Sequence, residues 1–384
     1  MIQTLEIKNF KTIKNKRFNL KNLNLNLGLN GMGKSTFIQS ILLLKQSKSL
    51  SGGQLNLQGE YVNIGTTKDA LYQYAKKGEN LCFEIQFDNS DVFSMEFDYK
   101  IDADYFSFNP KLNMYGESNE AIEKAEKSIF NRNFQYLNAN RIEPKSIYNK
   151  SYSNVVNDNN IGNNGEFTAH YIESHGNDEV LFDNLLHKDT VVKDTTTNID
   201  IVNRTLINQI NLWMGEISPG VNVRTTSISS EFVLLEYVFK QPNFGNTNRF
   251  KPENVGFGIT YGLPIVTALL TSKPGQLIII ENPESHIHPR GQAELGKLIA
   301  KTAMNDVQII IETHSDHILN GIRVAVKEGD IDKDKVAIFY YDKIVEASEQ
   351  YSKITDIQLD KKGNLSEYPE NLLDEWSNQL SKLF

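Results

Sequence analysis

The chain has 384 residues, a formal net charge of −8 and one cysteine. That length supports one large α/β domain with an inserted subdomain, burying roughly 75% of its unfolded surface. The single Cys82 excludes an internal disulfide framework and points to a reducing, cytoplasmic compartment. No stretch reaches the ~18 apolar residues of a membrane span, and Met1-Ile2-Gln3-Thr4 reads as neither a signal nor a transit peptide, so no membrane partner is expected.

The charge is uneven. Residues 1–48 carry nine Lys or Arg against one acid, Glu6, which makes this segment +8 and leaves −16 for the remainder. Two readings stay open: a solvated face of amphipathic strands, or a surface that contacts phosphate backbones of DNA or RNA. Within the segment, Leu5 to Phe10 and Phe18 to Leu20 alternate polar and apolar side chains as half-buried strands do. Leu23, Leu25 and Leu27 then run into Gly28, and Thr36 to Leu44 reads as a helix that begins at a glycine-rich turn. Strands are predicted over Leu81 to Phe87 and Val92 to Tyr99, with a charged helix near Glu117 to Phe130.

Residues 151–165 are rich in Asn and Gly and read as a flexible loop. Helical patterns return at Glu179 to Leu186 and Ile199 to Trp213, and strands at Ser227 to Lys240. Near the end, Leu277 to Ile280 and Val307 to Ile311 are short apolar strands that finish in polar clusters, at Glu281 and at Glu312-Thr313-His314. A helix over Gly291 to Lys301 joins them in a β-α-β unit, whose strand ends face the edge where α/β sheets bind ligands.

Gly28-Leu29-Asn30-Gly31-Met32-Gly33-Lys34-Ser35-Thr36 fits the Walker A pattern, with the strand before and the helix after that the pattern requires. Its glycines let the backbone wrap a phosphate, and the N–H groups and helix N-terminus supply a positive cradle. Asn30, Gly31, Gly33, Lys34, Ser35 and Thr36 are therefore the expected ATP-binding residues, Lys34 for the β- and γ-phosphates and Ser35 for Mg²⁺. The strand ending at Glu281 has the Walker B arrangement and makes Glu281 the expected carboxylate for the metal and its water. His314 ends the next strand, where an imidazole could bond the γ-phosphate or the attacking water. The pairs His286/His288 and His314/His317 have tempting spacing for zinc, but the nucleotide site explains their position without it; His286 and His288 read better as dimer contacts.

Together with Asn9-Phe10-Lys11, the segment Asn254 to Thr260, the box Ile280-Glu281-Asn282-Pro283-Glu284-Ser285-His286-Ile287-His288-Pro289 and Glu312-Thr313-His314-Ser315, these motifs resemble the OLD-like branch of SMC/RecF-type ABC ATPases. Asn138 to Pro144 and Gly165 to Thr168 resemble short motifs of the same branch, and Leu359 to Glu375 the small C-terminal cap of a bacterial subgroup. The resemblance implies an α/β ABC-type P-loop ATPase domain with a mixed sheet, an N-terminal antiparallel β-subdomain, an inserted helical region and a small C-terminal cap. Four regions follow: 1–115 as the N-terminal ATPase lobe, 116–250 as the insert, 251–345 as the C-terminal lobe and 346–384 as the cap. It also implies that Gly256, Gly258 and Thr260 stand in for the ABC signature and contact the γ-phosphate held by the other protomer of an ATP-sandwich homodimer.

One departure matters. ABC ATPases place the catalytic glutamate directly after the Walker B acid, but here that position is Asn282, which cannot act as a base. Glu284 is the nearest carboxylate for the role, and Gln54 or Gln58 could be the glutamine that contacts Mg²⁺. The family implies an anti-phage ATPase that senses nucleic acid and controls a nuclease. Because the chain stops about 70 residues after His314, short of a Toprim domain, that nuclease is expected on a separate chain. The alternatives are a DNA repair or recombination ATPase, a non-hydrolysing ATP-gated scaffold, and the nucleotide-binding subunit of a transporter.

Overall fold

A computed structural model describes residues 1–47, 53–88, 92–109, 128–193, 200–241 and 245–383. Strands β1 (Ile2–Phe10) and β2 (Ile13–Asn19) form a hairpin, and β3 (Leu23–Gly28) leads through the glycine-rich turn into helix α1 (Lys34–Ser47). Then come β4 (Gln54–Asn56), the short helix α2 (Thr67–Ala70), β5 (Leu81–Phe87), β6 (Val92–Asp98) and β7 (Tyr105–Phe108). The middle holds β8 (Gln135–Leu137), β9 (Ile147–Asn149), α3 (Thr168–His175), β10 (Val191–Lys193), β11 (Asp200–Val202), α4 (Leu206–Ile217), β12 (Val221–Ser227), β13 (Phe232–Gln241) and β14 (Gly245–Asn246). The last third runs α5 (Phe257–Leu270), β15 (Leu277–Glu281), α6 (Pro289–Ala303), β16 (Gln308–Glu312), α7 (Asp316–Glu328), β17 (Val336–Val345), β18 (Gln350–Ile357) and α8 (Glu375–Ser381).

Two six-stranded sheets organise these elements. One is antiparallel in the order β2-β1-β5-β6-β7-β4; the other is mixed, in the order β18-β17-β3-β16-β15-β8, with only the β17–β18 pair antiparallel. This is the α/β P-loop architecture with a mixed sheet and an N-terminal antiparallel sheet that the motifs implied. Because side chains alternate along a strand, the mixed sheet divides the interior into two cores. Ile278, Ile280, Ile309 and Ile311 face the helices α5 to α7, whereas Leu277, Ile279 and Ile310 join Phe37, Ile41 and the antiparallel sheet. Helix α1 lies in that second core, which is why Phe37, Ile38 and Ile41 to Leu44 are buried with no polar stripe between them.

Some segments bury polar residues, and others depart from the sequence reading. Strand β3 alternates Leu and Asn, yet Asn24 and Asn26 are both fully buried. Their amides make the exception tolerable, since Asn24 Nδ2 donates to the Ile309 carbonyl at 3.2 Å and Asn26 Nδ2 to the Ile311 carbonyl at 3.1 Å. Residues 151–165, expected as a flexible loop, are packed: Val155 and Ile161 are buried, Asn160 Nδ2 donates to the Phe134 carbonyl at 2.8 Å, and Asn138 Nδ2 to Asn164 Oδ1 at 2.9 Å. Here asparagines act as structural hydrogen-bonders, a use that composition does not distinguish from loop formation. The helix expected at Glu179 to Leu186 is extended chain with a single 3₁₀ turn at Asp183–Leu185. The helix expected near Glu117 to Phe130 falls mainly outside the described residues.

Three lysines of the basic N-terminal segment are paired with acids of the chain. Lys8 pairs with Glu6 and Glu84, Lys14 with Glu349 at 2.7 Å and Lys16 with Asp356 at 2.8 Å. Two of those acids sit on or beside β18, so these charges tie the first hairpin to the C-terminal one. Cys82 is partly buried on β5, and burial with the Glu84 charge pushes its thiol up to about 11, which leaves it a poor nucleophile. Among the described residues no helix is long and apolar enough to cross a membrane.

Candidate nucleotide and metal site

The glycine-rich turn sits at the C-terminal ends of β3, β15 and β16, where the parallel strands of the mixed sheet present their last residues. Gly28 and Gly33 have φ of +138° and +104°, and a Cβ would meet the Tyr341 carbonyl at 2.3 Å or the Ser352 hydroxyl at 2.3 Å respectively, so only glycine fits. Gly31 and Asn30 lie on the exposed lip of the turn, and a Cβ on Gly31 would meet nothing within 4 Å. The open lip suits a phosphate. Thr36 is buried beneath it, 3.5 Å from the Thr12 hydroxyl.

Lys34 is 3% exposed, and its ammonium donates to the carbonyls of Gly28 at 2.7 Å and Leu29 at 2.8 Å. Burial lowers its pKa while the Glu312 and Glu284 charges oppose that shift. A cation held by two carbonyls of its own loop is well placed to exchange them for phosphate oxygens. The next residue, Ser35, donates its hydroxyl to Glu312 Oε1 at 2.9 Å. Glu312 was read from sequence only as part of a polar strand end. The structure brings it into direct contact with the Walker A hydroxyl.

Glu281 lies one strand over, opposite Glu312 in the parallel register of β15 and β16. Both its carboxylate oxygens are engaged: Oε1 accepts from the Tyr136 hydroxyl at 3.0 Å and Oε2 from the Ala139 N–H at 3.2 Å. The buried Arg141 donates Nη2 to the Glu281 carbonyl at 2.8 Å and Nη1 to the Asn138 carbonyl. The segment Asn138 to Arg141 is thus a clamp over the Walker B strand end. Burial raises the Glu281 pKa, and the Ala139 and Tyr136 bonds together with Arg141 hold it back.

Asn282 has φ +45°, a left-handed conformation that Asn tolerates better than most residues. Its N–H donates to the Glu312 carbonyl at 2.8 Å, continuing the β15–β16 pairing past the strand end. Glu284 follows and binds the loop after β16: Oε2 accepts from the Thr313 hydroxyl at 2.6 Å and Oε1 from the His314 N–H at 2.8 Å. The His314 ring reaches the Gly28 carbonyl, and partial burial followed by the Lys34 charge lowers its pKa, favouring the neutral imidazole. Glu281, Glu284, His314, Lys34 and Ser35 therefore converge on one strand edge.

The signature residues stand apart. Gly256 caps α5, is exposed, and has open space where a Cβ would be, while Phe257 beside it is 53% exposed. Gly258 is required for a different reason, because a Cβ there would meet the His286 carbonyl at 2.4 Å. Thr260 corrects the sequence expectation: it is buried, and its hydroxyl lies beside that of the buried Tyr237 instead of at the open helix end. Three residues into a helix, that side chain has turned toward the core. The ring of His286 packs on Phe257 and Tyr261, and His288 caps α6 by accepting from the Arg290 N–H at 3.3 Å. No group of three or more His, Cys, Asp or Glu among the described residues is placed to hold a metal ion. Gln54 is exposed on β4, and Gln58 donates to the Gly65 carbonyl.

A nucleotide metal does not need such a cage, since Mg²⁺ takes one or two protein oxygens and completes its shell with phosphates and water. Ser35 and the hard oxygens of Glu312 fit that requirement, with Glu281 the neighbouring carboxylate at the strand ends. When bound, the ion would neutralise phosphate charge and orient the terminal phosphoryl group.

Known proteins resemble the chain in family and in fold. The family model described as "AAA domain, putative AbiEii toxin, Type IV TA system" matches residues 27–320, and one described as a protein of unknown function (DUF3696) matches residues 331–383. No curated protein matches the chain. Among solved structures, an SMC head bound to the C-terminal winged-helix domain of ScpA is similar over 94% of this chain and 98% of its own, at 16% identity and a TM-score of 0.55. The SMC head with an extended coiled coil bound to the C-terminal domain of ScpA, derived from Pyrococcus furiosus, is similar over 100% and 99%, at 14% identity and a TM-score of 0.50. At such identities the likeness is one of fold. With the first model covering residues 27–320 of 384, the chain belongs to the AAA-domain family described as putative AbiEii toxin, Type IV TA system, and it carries that P-loop domain on an SMC-head-like fold.

Proposed function

We propose that this chain binds ATP with Mg²⁺ at Gly28 to Thr36, hydrolyses it slowly, and closes on it as a two-fold homodimer. The dimer would be a nucleic-acid-triggered switch controlling a separate nuclease chain in anti-phage defence. The observation that carries the ATPase reading is the buried Lys34 ammonium, held by two loop carbonyls, next to a Ser35 hydroxyl already bonded to a carboxylate. Dimer closure is supported by the exposed N-terminus of α5, with Gly256 and Phe257 beside an open groove of about 490 Å³ that also takes in His286 and His288. A two-fold axis would set that surface against the partner's P-loop. The family description as a putative toxin supports a place in a defence or growth-control system. Direct grip on nucleic acid by the N-terminal lysines has less support, because Lys14 and Lys16 are already paired with Glu349 and Asp356.

The deciding experiment measures steady-state ATP turnover and light-scattering mass with Mg²⁺ for wild type, Lys34→Ala and Glu284→Gln. Wild type should turn over and dimerise with ATP, and Lys34→Ala should lose both, by about 10²-fold or more in turnover. Glu284→Gln should keep the dimer and lose turnover. Wild type without ATP binding sinks the reading. A second reading, an ATP-gated scaffold, is favoured by Asn282 in the usual base position. ATP-dependent dimers with phosphate release at the buffer rate would establish it.

A further inference from the structure

The two carboxylates that end β15 and β16 are neighbours in register, yet they are not equivalent. Glu281, the acid that the motif assigns to the metal, already has one hydrogen-bond donor on each oxygen, from Tyr136 and Ala139, and its backbone carbonyl is held by Arg141. These donors fix its orientation, because rotating the carboxylate away from them would strand the Tyr136 hydroxyl in a mostly buried site. Glu312 has the opposite situation. It is only 7% exposed, Oε1 accepts from the Ser35 hydroxyl at 2.9 Å, and Oε2 is buried without a hydrogen-bond partner among the described residues.

A buried carboxylate oxygen left unsatisfied is costly, and such an oxygen needs a ligand where the site is built for one. The other atoms converging there are the hydroxyl that a Walker A loop offers to its metal and the Lys34 ammonium that it offers to phosphate. Hard divalent cations seek this combination of carboxylate, hydroxyl and phosphate oxygens.

We infer that Glu312, with Ser35, is the carboxylate that meets the nucleotide-bound divalent cation, and that Glu281 is a positioning residue locked into the Tyr136–Ala139–Arg141 clamp. The inference rests on the proposed ATP site and adds which acid faces its metal. In this arrangement Oε2 of Glu312 would meet the ion, the Ser35 oxygen would meet it through a lone pair while its hydrogen stays on Oε1, and Glu281 would keep both its donors. Asn282 contributes by fixing the Glu312 backbone through its N–H.

The test is equilibrium binding of a fluorescent ATP analogue in excess Mg²⁺ and in EDTA, with the bound-ion signal of Mn²⁺ recorded by electron paramagnetic resonance. Wild type should bind more tightly with metal. Glu312→Gln should lose at least about tenfold of that metal-dependent gain, with affinity in EDTA unchanged or improved, while Glu281→Gln keeps most of the gain and the Mn²⁺ signal. Full metal dependence in Glu312→Gln, or its loss in Glu281→Gln alone, would overturn the assignment. Should Glu312→Gln fail to fold, Glu312→Asp decides: a weakened metal gain at unchanged EDTA affinity supports the assignment, and an unchanged gain overturns it. Wild type that binds no ATP in either buffer breaks the ATP-site reading instead, so the two failures are distinct.

Discussion

The ends of β15 and β16 carry the same residue at the same offset after the same kind of apolar run, and the fold uses them differently. Glu281 is closed in by a tyrosine, a backbone amide and a buried arginine. Glu312 has one hydroxyl donor, and its other oxygen has no hydrogen-bond partner among the described residues. The contrast arises from their neighbours: β15 is flanked by β8, whose continuation folds over its end, whereas β16 is flanked by β3, whose continuation is the P-loop. A carboxylate's role here is set by the strand beside it.

Removing the clamp should break that contrast most severely. Arg141→Ala strips the guanidinium from the carbonyls of Asn138 and Glu281 and leaves a mostly buried acid without its nearest cation. A loss on the order of 3 kcal/mol is expected in urea unfolding; a loss under about 0.5 kcal/mol would mean the clamp is dispensable.

The pH dependence of the ligand-free protein sharpens the other side. Burial, then the Glu281 charge, pushes the Glu312 carboxyl from its ordinary 4.5 up to about 7. A carboxyl raised in the folded state holds its proton there after the unfolded chain has ionised. Its stabilising contribution is therefore fully present below the unfolded value and lost as pH rises through the folded one. Melting temperature should fall for this reason between pH 5 and about 7.5, and Glu312→Gln should flatten that part of the profile. An identical profile in the variant would show that Glu312 does not titrate there.

The smallest expected effect concerns the turn after β15. Asn282→Ala places a Cβ without a local hydrogen-bonding side chain at φ +45° and should cost about 1 kcal/mol, whereas Asn282→Gly should be nearly neutral. Equal costs for the two would mean that the Asn side chain, and not the left-handed backbone, is what the position requires.

Much of this site was legible before any coordinates. The Walker A loop and its helix are local, so spacing alone places Gly28, Gly33, Lys34 and Ser35 on one turn. The runs Leu277 to Ile280 and Val307 to Ile311 are continuous because both faces of the mixed sheet are covered. Glu312 was available as a signal too, since parallel strands joined by one helix and ending at the same offset set their last residues side by side. Its place in the run Glu312-Thr313-His314-Ser315, a motif in its own right, masks that signal. The asparagines of 151–165 point to a loop for a related reason. Polarity predicts exposure only where no carbonyl lies within reach, and that depends on segments far along the chain.

Residues within about ten positions of each other thus announce their geometry in the sequence, because a turn or a helix leaves them few other arrangements. Tyr136, Ala139 and Arg141 meet Glu281 across more than a hundred residues, and Ser35 meets Glu312 across 277. Those meetings hang on the order and register of strands in one sheet, in which a shift of a single residue turns every side chain to the opposite face. The composition of the site was therefore written locally, and the division of labour between its two acids was settled by which strand lies next to each.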